Sequence, residues 1–138
     1  MKLPAGKWWI GDLCYALGNR WDEFCELTIS GHSCLEGTFK FKDGTTFATF
    51  GTRWGDGTYL DQFGNEYPVD AGLIGCVKVS ETDTGADLTL GHIQEFDTDF
   101  EVGSEASGVI YFGHILIDTD PDPEEEEDDY QYEDDQEY

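Results

Sequence analysis

The stretch from Arg53 to Gly75, RWGDGTYLDQFGNEYPVDAGLIG, sets the tightest limits on the fold. Gly55-Asp56-Gly57 and Phe63-Gly64-Asn65 are turn signals, because glycine and asparagine tolerate the positive φ of tight hairpins. Only a short strand, Thr58-Tyr59-Leu60, fits between them. Pro68 cannot donate to a sheet ladder, so Tyr67-Pro68-Val69 is expected at a sheet edge or as an extended lead-in. Leu73-Ile74 then enters a buried run ending in Val77-Lys78-Val79. The stretch predicts two turns over a core strand, with its carboxylates and aromatics on loops at a sheet rim, where binding residues often sit.

The remaining segments extend this β pattern. Lys7 to Ile10 reads as a short strand stopped by Gly11-Asp12. Asn19 is the expected N-cap of a helix in which Trp21, Phe24, Cys25 and Thr28 share one face, with Asp22 and Glu23 in the first turn; it ends before Gly31 and should lie across a sheet. Phe39 and Phe41 alternate with Lys40 and Lys42, and Asp43-Gly44 turns the chain into Thr45 to Gly51. Phe47 and Phe50 are out of phase by one, which predicts a bulge. Ala86 to Phe96 and Phe100 to Val102 are further strand segments. Gly108 to Ile117, the most apolar run, reads as a central strand. The expected class is α+β with β dominant: a twisted antiparallel sheet or small open barrel of seven or eight short strands with one helix.

Composition divides the 138 residues into a compact β-rich domain, 1–117, and an acidic, tyrosine-containing flexible tail, 118–138. The tail holds 13 of the 31 acidic residues and no basic one, while all seven Lys and Arg lie in the body, which is left at −11. Scattered single cations exclude a direct nucleic-acid binder, since phosphate contacts need clustered Lys and Arg. The complementary partner is a basic surface. Cys14, Cys25, Cys34 and Cys76 lack the paired spacing of a zinc site, and they read as small buried hydrophobes in a reducing compartment. No run has signal-peptide character or approaches the ~20 apolar residues of a membrane span, so a cytoplasmic location and no membrane partner are expected.

The motifs WIGDLCYAL, WDEFC, WGDGTYLDQFGNEYPVDAGLIG and FGHILIDTD, in order over residues 8–120, resemble a family of small bacteriophage and bacterial proteins with no assigned activity. The resemblance implies a phage-encoded protein acting in a host cytoplasm. That family more often has proline at the position of Leu13, so a relaxed turn after Asp12 is expected here.

Three chemistries follow from the residues. In the first, the tail residues Asp120, Asp122, Glu124, Glu125, Glu126, Glu127, Asp128, Asp129, Tyr130, Tyr132, Glu133, Asp134, Asp135 and Tyr138 bind a partner. An extended chain advances about 3.4 Å per residue, close to the phosphate spacing along one DNA strand, so dense carboxylates can mimic nucleic acid, with tyrosines stacking where bases would. The expected function is binding and inhibition of a basic, nucleic-acid-handling host protein, such as a nuclease, restriction or polymerase component. A solvated tail that only aids solubility is the plainer alternative. In the second, an aromatic and aspartate rim that includes Trp8 and Trp9 holds a small ligand or nucleotide, through Asp12, Cys14, Tyr15, Trp54, Asp56, Tyr59, Asp61, Tyr67, Asp70 and His114. In the third, Asp12, Asp56, Asp61 and Asp70 hold a divalent ion for hydrolysis, although no Asp-x-Asp-x-Asp-Gly loop is present. Gly91-His92-Ile93 and Gly113-His114-Ile115 would bring two histidines together if their strands paired; otherwise His114 is expected as a hydrogen-bonded core residue. Cys14 is a candidate nucleophile with no base placed beside it. No phosphate-binding loop or serine elbow marks an enzyme, and no cofactor or resident metal is expected.

Overall fold

The computed structural model describes residues 1–30 and 33–120, with residues 30, 33 and 34 as backbone alone. Strands β1 (Lys2–Leu3) and β2 (Gly6–Gly11) precede 3-10 turns at Leu13–Tyr15 and Gly18–Arg20 and the helix α1 (Trp21–Thr28). A small hairpin, β3 (Ile29–Ser30) with β4 (Ser33–Cys34), comes next. Then follow β5 (Gly37–Lys40), β6 (Thr46–Gly51), β7 (Gly57–Asp61), β8 (Glu66–Val69) and β9 (Leu73–Lys78). The described chain ends with β10 (Gly91–Phe96), β11 (Phe100–Ser104), β12 (Val109–Phe112) and β13 (Ile115–Asp118).

Among the described residues the fold is α+β and β-dominant with one α-helix, and apart from the β3–β4 hairpin its strands are divided between two antiparallel sheets. One sheet has the order β1-β11-β12-β13-β7-β8 and the other β10-β2-β9-β6-β5. Neither closes into a barrel among the described residues. The inward faces of the two sheets bury a common core that includes Trp8, Ile10, Phe50, Tyr67, Ile74, Phe112 and Ile117. A second core, with Trp9, Leu13, Leu17, Phe24, Phe41, Phe47 and Val77, fills the space between the opposite face of the five-stranded sheet and the helical segments. The five-stranded sheet is therefore the middle of three layers.

That layering explains the sequence of the middle sheet. Successive strand side chains point to opposite faces. Trp8 faces the sandwich core and Trp9 the helical layer, each fully buried, and their indole N–H groups donate to the carbonyls of Pro4 and Leu88 at 3.0 Å. Phe47 and Phe50 likewise face opposite cores on β6. The ladder from Phe47↔Val77 to Phe50↔Ile74 is unbroken, so the expected bulge is absent: the strand is buried on both faces, and no phase error needs correcting. Phe47 is the hub of the helix-side core, with the rings of Phe24, Phe39 and Phe41 centred 4.6 to 5.5 Å away.

The helix presents Trp21, Phe24, Cys25 and Thr28 to this core as the spacing requires. Its N-cap differs from expectation. Gly18–Arg20 forms a 3-10 turn that runs straight into the helix, so Arg20 rather than Asn19 occupies the cap and no side chain caps the N-terminus. Arg20 instead lies over the Phe41 ring and pairs with Asp43 at 2.8 Å and Glu81 at 3.3 Å.

Tyr67-Pro68-Val69 lies in the edge strand β8, where the missing proline donor does no harm. The apolar run Gly108 to Ile117 is not one central strand but a hairpin, β12 and β13, joined at Gly113-His114 with Phe112 opposite Ile115. Gly113 adopts φ +61°, which a two-residue hairpin turn requires and a side chain disfavours. Among the described residues no helix is long and apolar enough to cross a membrane.

Candidate functional site

The root of the acidic segment is built by the first two residues of the central stretch. Thr119 is fully buried; its hydroxyl donates to the Gly108 carbonyl at 2.6 Å and accepts the Arg53 backbone N–H at 2.9 Å. The Asp120 carboxylate accepts the Trp54 indole N–H at 2.7 Å and lies 3.5 Å from Arg53 Nε. Arg53 also donates to the Ala106 carbonyl at 2.7 Å. Trp54 is nonetheless 63% exposed. The chain therefore leaves β13 from a defined point, marked by one exposed indole and one cation. Sequence reasoning placed Trp54 in a ligand rim and missed its partner, because Trp54 and Asp120 are far apart in the chain. Arg53-Trp54 is one of two Arg-Trp pairs in the chain, the other being Arg20-Trp21, so no local signal singled it out. Of the tail residues named above, Asp120 alone lies within the described residues; Asp122 through Tyr138 lie outside them.

The rim residues divide into groups with different work. Asp12 is fully buried and binds three backbone amides: Oδ1 accepts from Cys14 at 3.0 Å, and Oδ2 from Asp70 at 2.8 Å and Ala71 at 2.6 Å. It ties the turn after β2 to the loop between β8 and β9. The turn that the resemblance implied would be relaxed is locked instead, with Leu13 wholly buried beside Gly75. Cys14 and Tyr15 sit next to this knot. Burial pushes the Cys14 thiol up to about 12, reinforced by its hydrogen bond with Asp12 and by the Asp12 and Asp70 charges. Burial also raises Tyr15, aided by Cys14, Asp70, Asp12 and Asp56. These five residues thus share one acidic neighbourhood. It suppresses the thiolate, so Cys14 is not an activated nucleophile.

Alkylation tests this directly. Native protein exposed to iodoacetamide at about pH 8 should keep Cys14 unmodified, because the thiolate is the reacting species. Cys76, raised by complete burial, should behave alike. Both should react fully once the chain is unfolded, as peptide mass mapping would show. Rapid native labelling of Cys14 would contradict this account.

Asp61, Tyr59 and Tyr67 form a second group, turned into the sandwich. Asp61 accepts from the backbone amides of Phe63 (2.8 Å) and Asn65 (3.0 Å), the Asn65 side-chain amide (2.9 Å) and the Tyr67 hydroxyl (2.7 Å). Burial alone would raise its pKa, but these hydrogen bonds together outweigh it and hold the carboxyl below the usual range. Burial and the Asp61 contact push the fully buried Tyr67 hydroxyl upward. The Tyr59 hydroxyl donates to the Gly55 carbonyl at 2.9 Å. Tyr59 and Tyr67 are core side chains, and Asp61 is the acceptor that fixes the β7–β8 turn.

His114 is not a core residue. It is exposed in the β12–β13 turn, with the Phe96 and Phe63 rings edge-on at 5.9 and 6.1 Å. His92 lies on β10 of the other sheet, edge-on to Tyr67 and 3.2 Å from the Gln94 side-chain oxygen. Their strands do not pair, so the repeated Gly-His-Ile does not assemble a two-histidine site. The ten rim residues thus do not line one pocket. Among the described residues no cluster of three or more His, Cys, Asp or Glu is arranged to hold a metal ion.

Comparison with protein-family models finds no match for the chain, and neither curated proteins nor solved structures match it.

Proposed function

We propose that the protein is an acidic ligand for a basic, nucleic-acid-handling protein, phage-encoded and acting on a host enzyme, which it inhibits by occupying the groove meant for nucleic acid. The observation that carries this reading is the run from Asp118 to Tyr138, where 13 carboxylates and three tyrosines follow one another with no basic residue among them. Carboxylates spaced by an extended backbone approach the charge density that such a groove receives. Solubility does not call for tyrosines, and a body already at −11 does not call for more charge. The anchored root supports the reading further, since the Trp54 and Arg53 contacts with Asp120 fix where the acidic segment starts.

The test compares the full chain with a truncation after Asp120, which keeps the Thr119 and Asp120 contacts intact. Affinity capture from a bacterial lysate at low and high salt should retain a basic nucleic-acid-binding protein on the full chain only, with binding lost as salt rises. For the captured partner, purified, truncation should cost about a hundredfold or more in affinity at low salt and flatten the salt dependence. Equal binding by both forms would remove the acidic segment from the function.

A further inference from the structure

The outward face of the six-stranded sheet is uncovered by any described helix, whereas the helical layer packs on the other sheet. It carries two exposed leucines, Leu60 at 51% and Leu116 at 48%, with Tyr111 directly opposite Leu116. Acids are interleaved with them. One row across four strands reads Val109, Asp118, Leu60, Glu66 in direct register, so aliphatic and carboxylate side chains alternate. The cation in register on this face, Lys2, stands opposite Glu101 at the far edge. Asp118 is also the residue from which the chain turns into the Thr119–Asp120 anchor.

We infer that this face is a docking surface for a Lys- and Arg-rich protein surface, contacted together with the acidic segment that leaves it. The inference rests on the function proposed above and extends it from the tail to the folded body. Lysine and arginine have an apolar stem and a cationic head, and alternating leucine and carboxylate match both parts in one side-chain length. A second copy of this chain fits poorly, because it would set Asp118 and Glu66 against like charges. The tail would supply fast, salt-sensitive capture, and the leucines would supply a contact that salt does not screen.

The test uses the full-length chain, its Leu60→Ser/Leu116→Ser double variant, the single variant Leu116→Arg, and the truncation after Asp120. Each is titrated against three purified proteins with basic nucleic-acid grooves: a restriction endonuclease, a nucleoid protein and RNA polymerase. Titrations run at about 50 and about 200 mM salt. The double variant preserves charge and should bind about tenfold more weakly at both salts, with an unchanged salt slope. Leu116→Arg, which keeps an apolar stem but opposes a basic partner with like charge, should lose at least as much. Circular dichroism and thermal midpoints check that each variant is folded. Wild-type affinity in both leucine variants, with weakened binding by the truncation, would overturn this inference and leave the tail reading standing. Absence of binding by the full chain to all three proteins would overturn both. Self-association in sedimentation that the leucine variants abolish would make the face a contact between copies and also overturn the inference.

Discussion

Replacing Asp61 with alanine should lower unfolding free energy by roughly 3 kcal/mol or more, measured by urea denaturation, because one buried hydroxyl and three part-buried N–H donors lose one shared acceptor. The Tyr67 hydroxyl would be left unpaired at a fully buried position, together with two turn amides that now point at the carboxylate. Asp61→Asn should cost less, since an amide keeps the shape and can still meet the tyrosine hydroxyl. It should also change the acid response. Asp61 has a lower pKa folded than unfolded, so it contributes stability that is present above the unfolded value of about 3.9 and is lost as pH falls through the folded value. Part of the acid destabilisation of the wild type should therefore be missing in Asp61→Asn. If both variants unfold at the wild-type midpoint and with the wild-type pH profile, Asp61 is not the keystone of the β7–β8 turn.

The second large effect is steric. Gly75 sits in the centre of β9, paired with Gly11 on one side and Thr49 on the other, in the layer buried on both faces. A methyl group there would overlap the Ala48 carbonyl oxygen and lie 2.8 Å from Leu13 Cδ1. The first contact is with backbone and cannot be relieved by a rotamer change. Gly75→Ala should therefore destabilise by about 3 kcal/mol or more, or fail to yield folded protein. Gly64→Ala is the control for glycine loss without a clash, since nothing lies within 4 Å of that position. Its positive φ should confine the loss to about 1 kcal/mol. Equal midpoints for the two variants would show that the β6–β9 spacing is not tight.

Particular residues show what the sequence could convey. Pro68 announced an edge strand because a missing donor is a local fact, and the helix face from Trp21 to Thr28 was legible for the same reason. Phe47 and Phe50 misled because alternation was read against a single buried face. In a middle layer, neighbouring residues of both phases are apolar, and phase carries no information about bulges. Gly113 lay inside an apolar run where one glycine looks like packing, and only its positive φ reveals the turn. Asn19 lost the cap because the chain reached α1 already wound. At the site, Asp12 and Asp61 had the composition of ligands, yet what they bind is their own backbone and core. A sequence lists acceptors without saying which donors will come to them. The anchor of Asp120 on Trp54 and Arg53 was illegible for the converse reason, since it joins segments with no shared local pattern.

The position of β2 has a kinetic meaning. This strand comes early in the chain but lies inside its sheet, with Trp9 paired to Val77 on β9 and to Ile93 on β10. Neither neighbour is made until most of the chain has been synthesised. Each pairing closes a long loop whose entropy is lost before any ladder bond repays it. Trp8 and Trp9 must wait through that interval without a ladder. Refolding should be slow for a protein of this size, and the adjacent tryptophans are the segment a chaperone would hold meanwhile.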